Sequence, residues 1–257
     1  MTEPFEILFR AQTTATAVPQ LTADTPFDLP GAYRIQRAVA ELRYAAGERP
    51  TGFKMGFTSR AKMQQMGVDE VISGLLSSSM AWLDGDIVDP TTLIHPRIEP
   101  EVVFRLGRDV DPQESADSAA GAVDAVAAGL EVIDSRYADF KFSLVDVVAD
   151  NASAAGYAVG PWQPPAGDLA NRGVVLEVDG AVAETGSTAA ILGDPWRAFA
   201  AAVRLSRSLD VALTAGQVIL AGAATAAVPF RPGTSVRATV SGLGAVTLAM
   251  GIGGSGS

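Results

Sequence analysis

The chain has 257 residues, 48% of them hydrophobic, enough for one large domain or one domain with a smaller N-terminal lobe. A formal net charge of −10 argues against general nucleic-acid binding, which needs Lys and Arg to neutralise phosphates. With no cysteine there are no disulfides and no thiol catalysis, and no uninterrupted apolar run of about 18 residues is present to cross a membrane.

The start, Met1-Thr2-Glu3-Pro4, is acidic and lacks the basic-then-apolar pattern of a secretory leader, and the absence of cysteine is compatible with a cytoplasmic location. Residues 1–20 carry few structural signals. From Thr25 the chain reads as a capped helix start, and Ala32, Ile35, Val39 and Leu42 recur at helical spacing through Tyr44. Gly47 and Pro50 end that helix. Thr51 to Ser59 alternates as a short strand whose only charge is Lys54, either an exposed lysine on a half-buried strand or a cation aimed into a pocket.

Ser59 to Met66 reads as a short helix with Ser59 as its cap, stopped by Gly67. Ser73 to Met80 reads as an apolar, serine-rich connection, and Trp82 to Val88 as a hairpin around Asp84-Gly85-Asp86. After a strand through Leu106 and an acidic turn over 109–114, the alanine-rich stretch Ser118 to Ala128 predicts a helix. Glu131 then opens a strand that Asp134-Ser135-Arg136 closes. The run Asp146 to Ser153 gathers short polar groups, as in a helix cap or a tight turn beside a pocket.

Past a turn-rich connector at Pro161 to Pro165, strands are predicted at Val174–Val178 and Val182–Thr185 around an Asp179-Gly180 turn. A helix over Pro195 to Leu209 follows, then strands at Gln217–Ala221, Ser235–Val240 and Val246–Ala249. Residues 253–257 have linker composition and read as a flexible tail.

The stretch His95-Pro96-Arg97-Ile98-Glu99-Pro100-Glu101-Val102-Val103-Phe104 carries the chemistry. On a strand, Glu99 and Glu101 leave the same face about 7 Å apart, so they converge on a cation or face water. Pro100 between them cannot donate to a ladder, which predicts an edge or a strand start. Glu131 sits in the apolar run 128–133, where an unpaired carboxylate is expensive to bury. Three carboxylates and no thiolate suit Mg2+ or Mn2+ better than zinc. The single histidine, His95, is given no role.

Taken in order, Gly52–Ser59, Met66-Gly67-Val68, His95–Glu101, Leu130–Arg136, Val148–Ser153 and Thr225–Pro229 resemble the hydratase/decarboxylase branch of the fumarylacetoacetate hydrolase superfamily. The likeness runs from about Tyr33 to Leu248. Within that branch, Lys54–Met63 and Asp134–Phe140 are more similar to 2-oxo-3-hexenedioate (4-oxalocrotonate) decarboxylases than to 2-oxopent-4-enoate hydratases.

The resemblance implies an α+β fold: a mixed, barrel-like β-roll with flanking helices and a smaller N-terminal α/β region. It divides the chain into a region 1–80 that contributes Lys54 and a catalytic domain 81–252. It also implies Mg2+ or Mn2+ held by Glu99, Glu101 and Glu131, Lys54 as the catalytic residue, and Arg60, Ser153 and Thr225 against the substrate. Ser77-Ser78-Ser79 stand where relatives often carry an aspartate.

The implied activity is loss of CO2 from 2-oxo-3-hexenedioate, giving 2-hydroxypenta-2,4-dienoate in catabolism of aromatic compounds. The departing carboxylate is a vinylogous β-keto acid, so its electrons delocalise onto the 2-oxo oxygen, where a divalent ion stabilises charge. Two alternatives stand beside it: hydration of 2-oxopent-4-enoate at the same metal site, and a catalytically silent partner of such a hydratase. The expected partners are a small 2-oxo-alkenoic (di)acid, a second copy of the chain and the pathway hydratase, with no nucleic acid and no membrane.

Overall fold

The computed structural model describes residues 2–59, 63–64, 70–165 and 168–253, and within them the chain forms two mixed β-sheets with helices against them. In chain order the elements are α1 (Pro4–Thr13), α2 (Leu29–Ala45), β1 (Pro50–Gly56), β2 (Ile72–Ser77), β3 (Ala81–Trp82), β4 (Ile87–Val88), β5 (Arg97–Leu106) and α3 (Ala116–Ala119). They continue with β6 (Val123–Ile133), α4 (Leu144–Ala149), β7 (Ala154–Val159), β8 (Gly173–Val178), β9 (Ala181–Ser187) and α5 (Pro195–Ser208). The chain closes with β10 (Val218–Ala223), β11 (Val228–Pro229), β12 (Ser235–Val240) and β13 (Gly244–Met250).

The larger sheet runs β2-β1-β10-β5-β6-β7-β3, with β11 also on β5; the smaller runs β4-β13-β12-β8-β9. The long antiparallel pair β5 and β6 is central, and β10 flanks β5 on its other side. Because β1 pairs with β10 in parallel, Lys54 is delivered into the same sheet as the strand of Glu99 and Glu101. One apolar cluster joins Ile98, Val102 and Phe104 of β5 to Leu176, Val236, Val246 and Leu248 of the second sheet. Helix α5 completes it, with Phe199 and Trp196 ringed about Phe104 at centroid distances of 5.3 and 4.7 Å.

The helix read from Ala32 is α2, and it starts earlier because Asp28 accepts from the Gly31 N–H at 2.8 Å while Pro30 sits in the first turn. Its buried Gln36 donates to the carbonyls of Ser73 and Val148, pinning α2 to β2 and the end of α4. Helix α1 was not read from the sequence: Glu6 accepts from the Glu3 N–H at 3.1 Å, Pro4 opens the turn, and Leu8 and Ala11 are its buried face. The predicted helix over Ser59–Met66 lies largely outside the described residues.

Five expectations are corrected. The alanine-rich stretch is helical only at α3; from Val123 it is strand β6, whose small residues Ala125, Ala127, Ala128 and Gly129 lie buried in the sheet. Gly129 shows why they are small, since a Cβ there would meet Val103 Cγ2 at 2.3 Å. Intrinsic helix propensity loses here to close packing. Glu131 therefore sits near the end of a long strand rather than at the start of one.

Asp84-Gly85-Asp86 is a turn but not a hairpin, because β3 pairs with β7 in one sheet while β4 pairs with β13 in the other. The segment from Ser73 is strand β2, not a connection. Pro100 lies in the central strand β5, not at an edge. A residue's N and C=O face the same neighbouring strand, and Pro100 O accepts from Ala224 N, so its missing N–H faces the place where the β10 register slips between Leu220 and Ala223.

Candidate active site

Strand alternation sets the first half of the site. Glu99 and Glu101 leave one face of β5, and the β5–β6 register puts Glu131 directly across from Glu99. Each offers a carboxylate oxygen, and the three lie within 4.8 Å of one another. Glu101 and Glu131 are fully buried and Glu99 is 4% exposed.

Among the described residues, Glu101 and Glu131 are incompletely partnered. Lys54 Nζ lies 2.9 Å from Glu131 Oε1 and also donates to the Ala152 carbonyl at 2.9 Å. The Gly222 N–H, at the β10 irregularity, donates to Glu101 Oε2 at 2.7 Å. Gly222 has φ +104°, and a Cβ there would meet the Thr58 hydroxyl at 2.0 Å, so only glycine brings this N–H to the carboxylate. Among the described residues, Glu101 Oε1 and Glu131 Oε2 have no hydrogen-bond donor. Burial, then the neighbouring carboxylates Glu131 and Glu99, push the Glu101 carboxyl well above its ordinary range. Burial raises Glu131 too, against the opposing pull of Lys54.

Buried carboxylate oxygens without donors are costly, and hard oxygen ligands in this number fit a divalent cation such as Mg2+ or Mn2+. Above them opens a cavity of about 670 Å³. Lys54, Glu99, Arg97, Ser153 and Thr225 line it, with an apolar wall that includes Phe57, Ile133, Phe140 and Phe142.

The chain between α4 and β7 shapes one side. Asn151, Ala152 and Ser153 all have positive φ, at 53°, 50° and 59°. Three left-handed residues in a row, none of them glycine, cost roughly 1–2 kcal/mol each. The turn puts the Ala152 carbonyl on Lys54 and Ser153 at the cavity wall, where the buried Ser153 hydroxyl has no hydrogen-bond partner among the described residues.

Of the residues named from the sequence, Lys54, Glu99, Glu101, Glu131, Ser153 and Thr225 come together here, whereas Arg60 lies outside the described residues. The serine run is elsewhere: Ser77 and Ser79 hydrogen-bond the Arg43 guanidinium, and Ser79 donates to Glu48 at 2.7 Å. Arg97, in the same stretch as Glu99 and Glu101, also lines the cavity, with its guanidinium 5.5 Å from the Phe140 ring centre. Strand parity with Glu99 and Glu101 is the signal that finds it. Phe140 also stacks on His95 at 4.5 Å, which leaves His95 a packing role.

Residues 56–249 match the model of the fumarylacetoacetate (FAA) hydrolase C-terminal domain. A 4-oxalocrotonate decarboxylase from Pseudomonas sp. is 49% identical over 240 residues, 93% of this chain and 94% of the relative. A 2-keto-4-pentenoate hydratase from Paraburkholderia xenovorans is 35% identical, covering 95% of this chain and 92% of that protein. Among solved structures, 4-oxalocrotonate decarboxylase from Pseudomonas putida G7, complexed with magnesium and adipate, superposes with a TM-score of 0.90 at 36% identity, covering 96% of this chain and 95% of that one.

Proposed function

Because this chain belongs to the fumarylacetoacetate hydrolase family, we propose that it is a divalent-metal-dependent carboxy-lyase that converts 2-oxo-3-hexenedioate to 2-hydroxypenta-2,4-dienoate and CO2. The observation that carries the reading is the buried set Glu99, Glu101 and Glu131, with Lys54 beside it at the floor of the cavity. The likeness to named decarboxylases across nearly the whole chain supports the choice of reaction.

Glu99, Glu101 and Glu131 are the residues that would hold Mg2+ or Mn2+. The ion, when bound, supplies Lewis-acid stabilisation of charge developing on the 2-oxo group. Lys54 and the Ser153 hydroxyl donate hydrogen bonds to substrate oxygens, so they are placed before the charge moves. Thr225 and Arg97 border the same space and face an anionic acid, with Arg60 assigned to the substrate from the sequence. The phenylalanine wall keeps water from the reacting carbon, which favours loss of CO2 over addition of water.

In this reading, residues 1–80 bring Lys54 to a catalytic domain of residues 81–252. The enzyme works in the cytoplasm as a homo-oligomer, alone or with the pathway hydratase, a state that light scattering after gel filtration measures directly. Among the described residues no helix is long and apolar enough to cross a membrane.

The test is turnover of a small panel of 2-oxo-alkenoates with and without chelator. Release of CO2 from the dicarboxylate, abolished by chelator and restored by Mg2+, is the expected result. Hydration of 2-oxopent-4-enoate without CO2 release would move the assignment to the hydratase reaction, which the 35% identical hydratase keeps in view. No metal-dependent turnover of any 2-oxo-enoic acid would return the silent-partner reading.

A further inference from the structure

We propose that Asn151, which lies behind the cavity wall, is a positioning residue for this site, acting through Lys54 and Ser153. The inference rests on the same substrate reading and adds to it the part that orients the donors. Strand β2 ends the larger sheet, so its outer edge has no strand partner among the described residues. The Asn151 side chain takes that place at one residue: its Oδ1 accepts from the Leu75 N–H at 2.7 Å, and its Nδ2 donates to the Leu75 carbonyl at 2.9 Å.

A side-chain amide thus continues the sheet by one rung, while its own backbone is held left-handed at φ 53°. The next two residues carry the consequence. Ala152 stays left-handed and turns its carbonyl to Lys54 Nζ at 2.9 Å, and Ser153 presents at the cavity a buried hydroxyl that has no partner among the described residues. Gly74, opposite Lys54 in the β1–β2 register, allows the approach, because a Cβ there would meet the Asn151 carbonyl at 2.6 Å and the Lys54 stem at 3.0 Å.

The other end of the turn is tied independently: the Ser153 N–H donates to the Asp150 carbonyl at 2.9 Å, and Arg136 grips Asp150. Loss of the Asn151 bracket therefore loosens the direction of the two donors without dissolving the turn. Asn151 reaches the three Glu side chains only indirectly, through the Lys54 that the Ala152 carbonyl and Glu131 share, so ion binding is expected to change far less than binding of the diacid.

Asn151→Gly is the informative variant, since glycine keeps the left-handed backbone and removes only the bracket. Asn151→Asp is the second, retaining the acceptor for the Leu75 N–H but aiming a carboxylate oxygen at the Leu75 carbonyl. Calorimetry would measure Mg2+ binding, then binding of the saturated diacid 2-oxoadipate to the Mg2+-loaded full-length protein, alongside kcat and KM. For both variants the expectation is Mg2+ affinity within about twofold of wild type, 2-oxoadipate binding weakened about tenfold, and kcat lowered about tenfold or more.

Unchanged 2-oxoadipate binding and kcat in Asn151→Gly would overturn the inference. So would a parallel loss of Mg2+ binding, ligand binding and melting temperature, which is the mark of a residue that only holds the fold. If wild type binds 2-oxoadipate yet releases no CO2 from the unsaturated diacid, the proposed reaction fails while the binding ratio still judges Asn151. If wild type binds no 2-oxo acid at all, both fall.

Discussion

Two groups of buried charges lie close together in this protein, and they are built on opposite plans. Arg136 and Asp150 are 3% and 2% exposed and form a one-to-one pair. The Arg136 guanidinium also donates to the carbonyls of Asp134, Ala154 and Asp150, while Asp150 Oδ2 accepts from the Arg136 N–H at 2.9 Å and the Ser135 hydroxyl at 3.2 Å. Charge is balanced and every donor has somewhere to go. The second group brings three carboxylates together beside the ammonium of Lys54, and among the described residues no donor reaches Glu101 Oε1 or Glu131 Oε2.

The difference teaches how to tell structure from function inside a core. Desolvation penalises both groups alike, so a closed, balanced pair is what a fold tolerates, and an open, acidic one is what a cation completes. The first group anchors the left-handed turn; the second uses what that turn presents.

The comparison breaks most visibly at Glu131. Glu131→Gln is expected to lower metal-dependent turnover by about 10³-fold or more, since the ion's stabilisation of charge is worth several kcal/mol. The same variant should stay folded, with the melting temperature of the metal-free protein unchanged or raised, because one of three crowded carboxylates is gone. Wild-type turnover in this variant would remove Glu131 from the ligand set.

Arg136→Met should do the reverse. Leaving Asp150 buried and unpaired costs about 3–5 kcal/mol of folding stability, read from urea denaturation with or without Mg2+. A loss that appears only when metal is present would mean that the two groups are one.

Lys54→Ala is smaller and sharper. Removing one donor to a developing oxyanion typically costs ~3 kcal/mol, so turnover should fall roughly 100-fold while Mg2+ still binds. The smallest effect belongs to a balanced pair at the surface, Arg108 and Glu114, 2.9 Å apart. The Arg108 hydrogen bonds hold the Glu114 carboxyl down at about 2. A depressed carboxyl pKa gives a contribution present above the ordinary value of 4.5 and lost as pH falls toward 2. The stability deficit of Arg108→Ala, measured by urea midpoints, should therefore be small at pH 6 and shrink steadily below pH 4.5.

Much of the site was legible because it is locally periodic. Glu99 and Glu101 share a face by strand alternation, the capped entry read at Asp28 is observed at the start of α2, and the strand Ser235–Val240 is observed with the limits read from the sequence. What stayed hidden depends on neighbours. The alanine-rich stretch before Glu131 reads as helix in isolation and becomes strand because it pairs with β5 on one side and β7 on the other, with Gly129 packed too close to Val103 for a Cβ. Pro100 reads as an edge marker and sits at the centre, since a slip in the adjacent strand absorbs its missing N–H.

By itself the sequence determined which residue types would carry the chemistry and the family to which their order belongs, because both are properties of local spacing. Only the tertiary structure decided that Glu131 arrives opposite Glu99, that Lys54 is shared between Glu131 and the Ala152 carbonyl, and that Asn151 closes the edge of β2. Those contacts join residues distant along the chain, and their geometry follows from strand register and from backbone held left-handed, neither of which side-chain periodicity encodes.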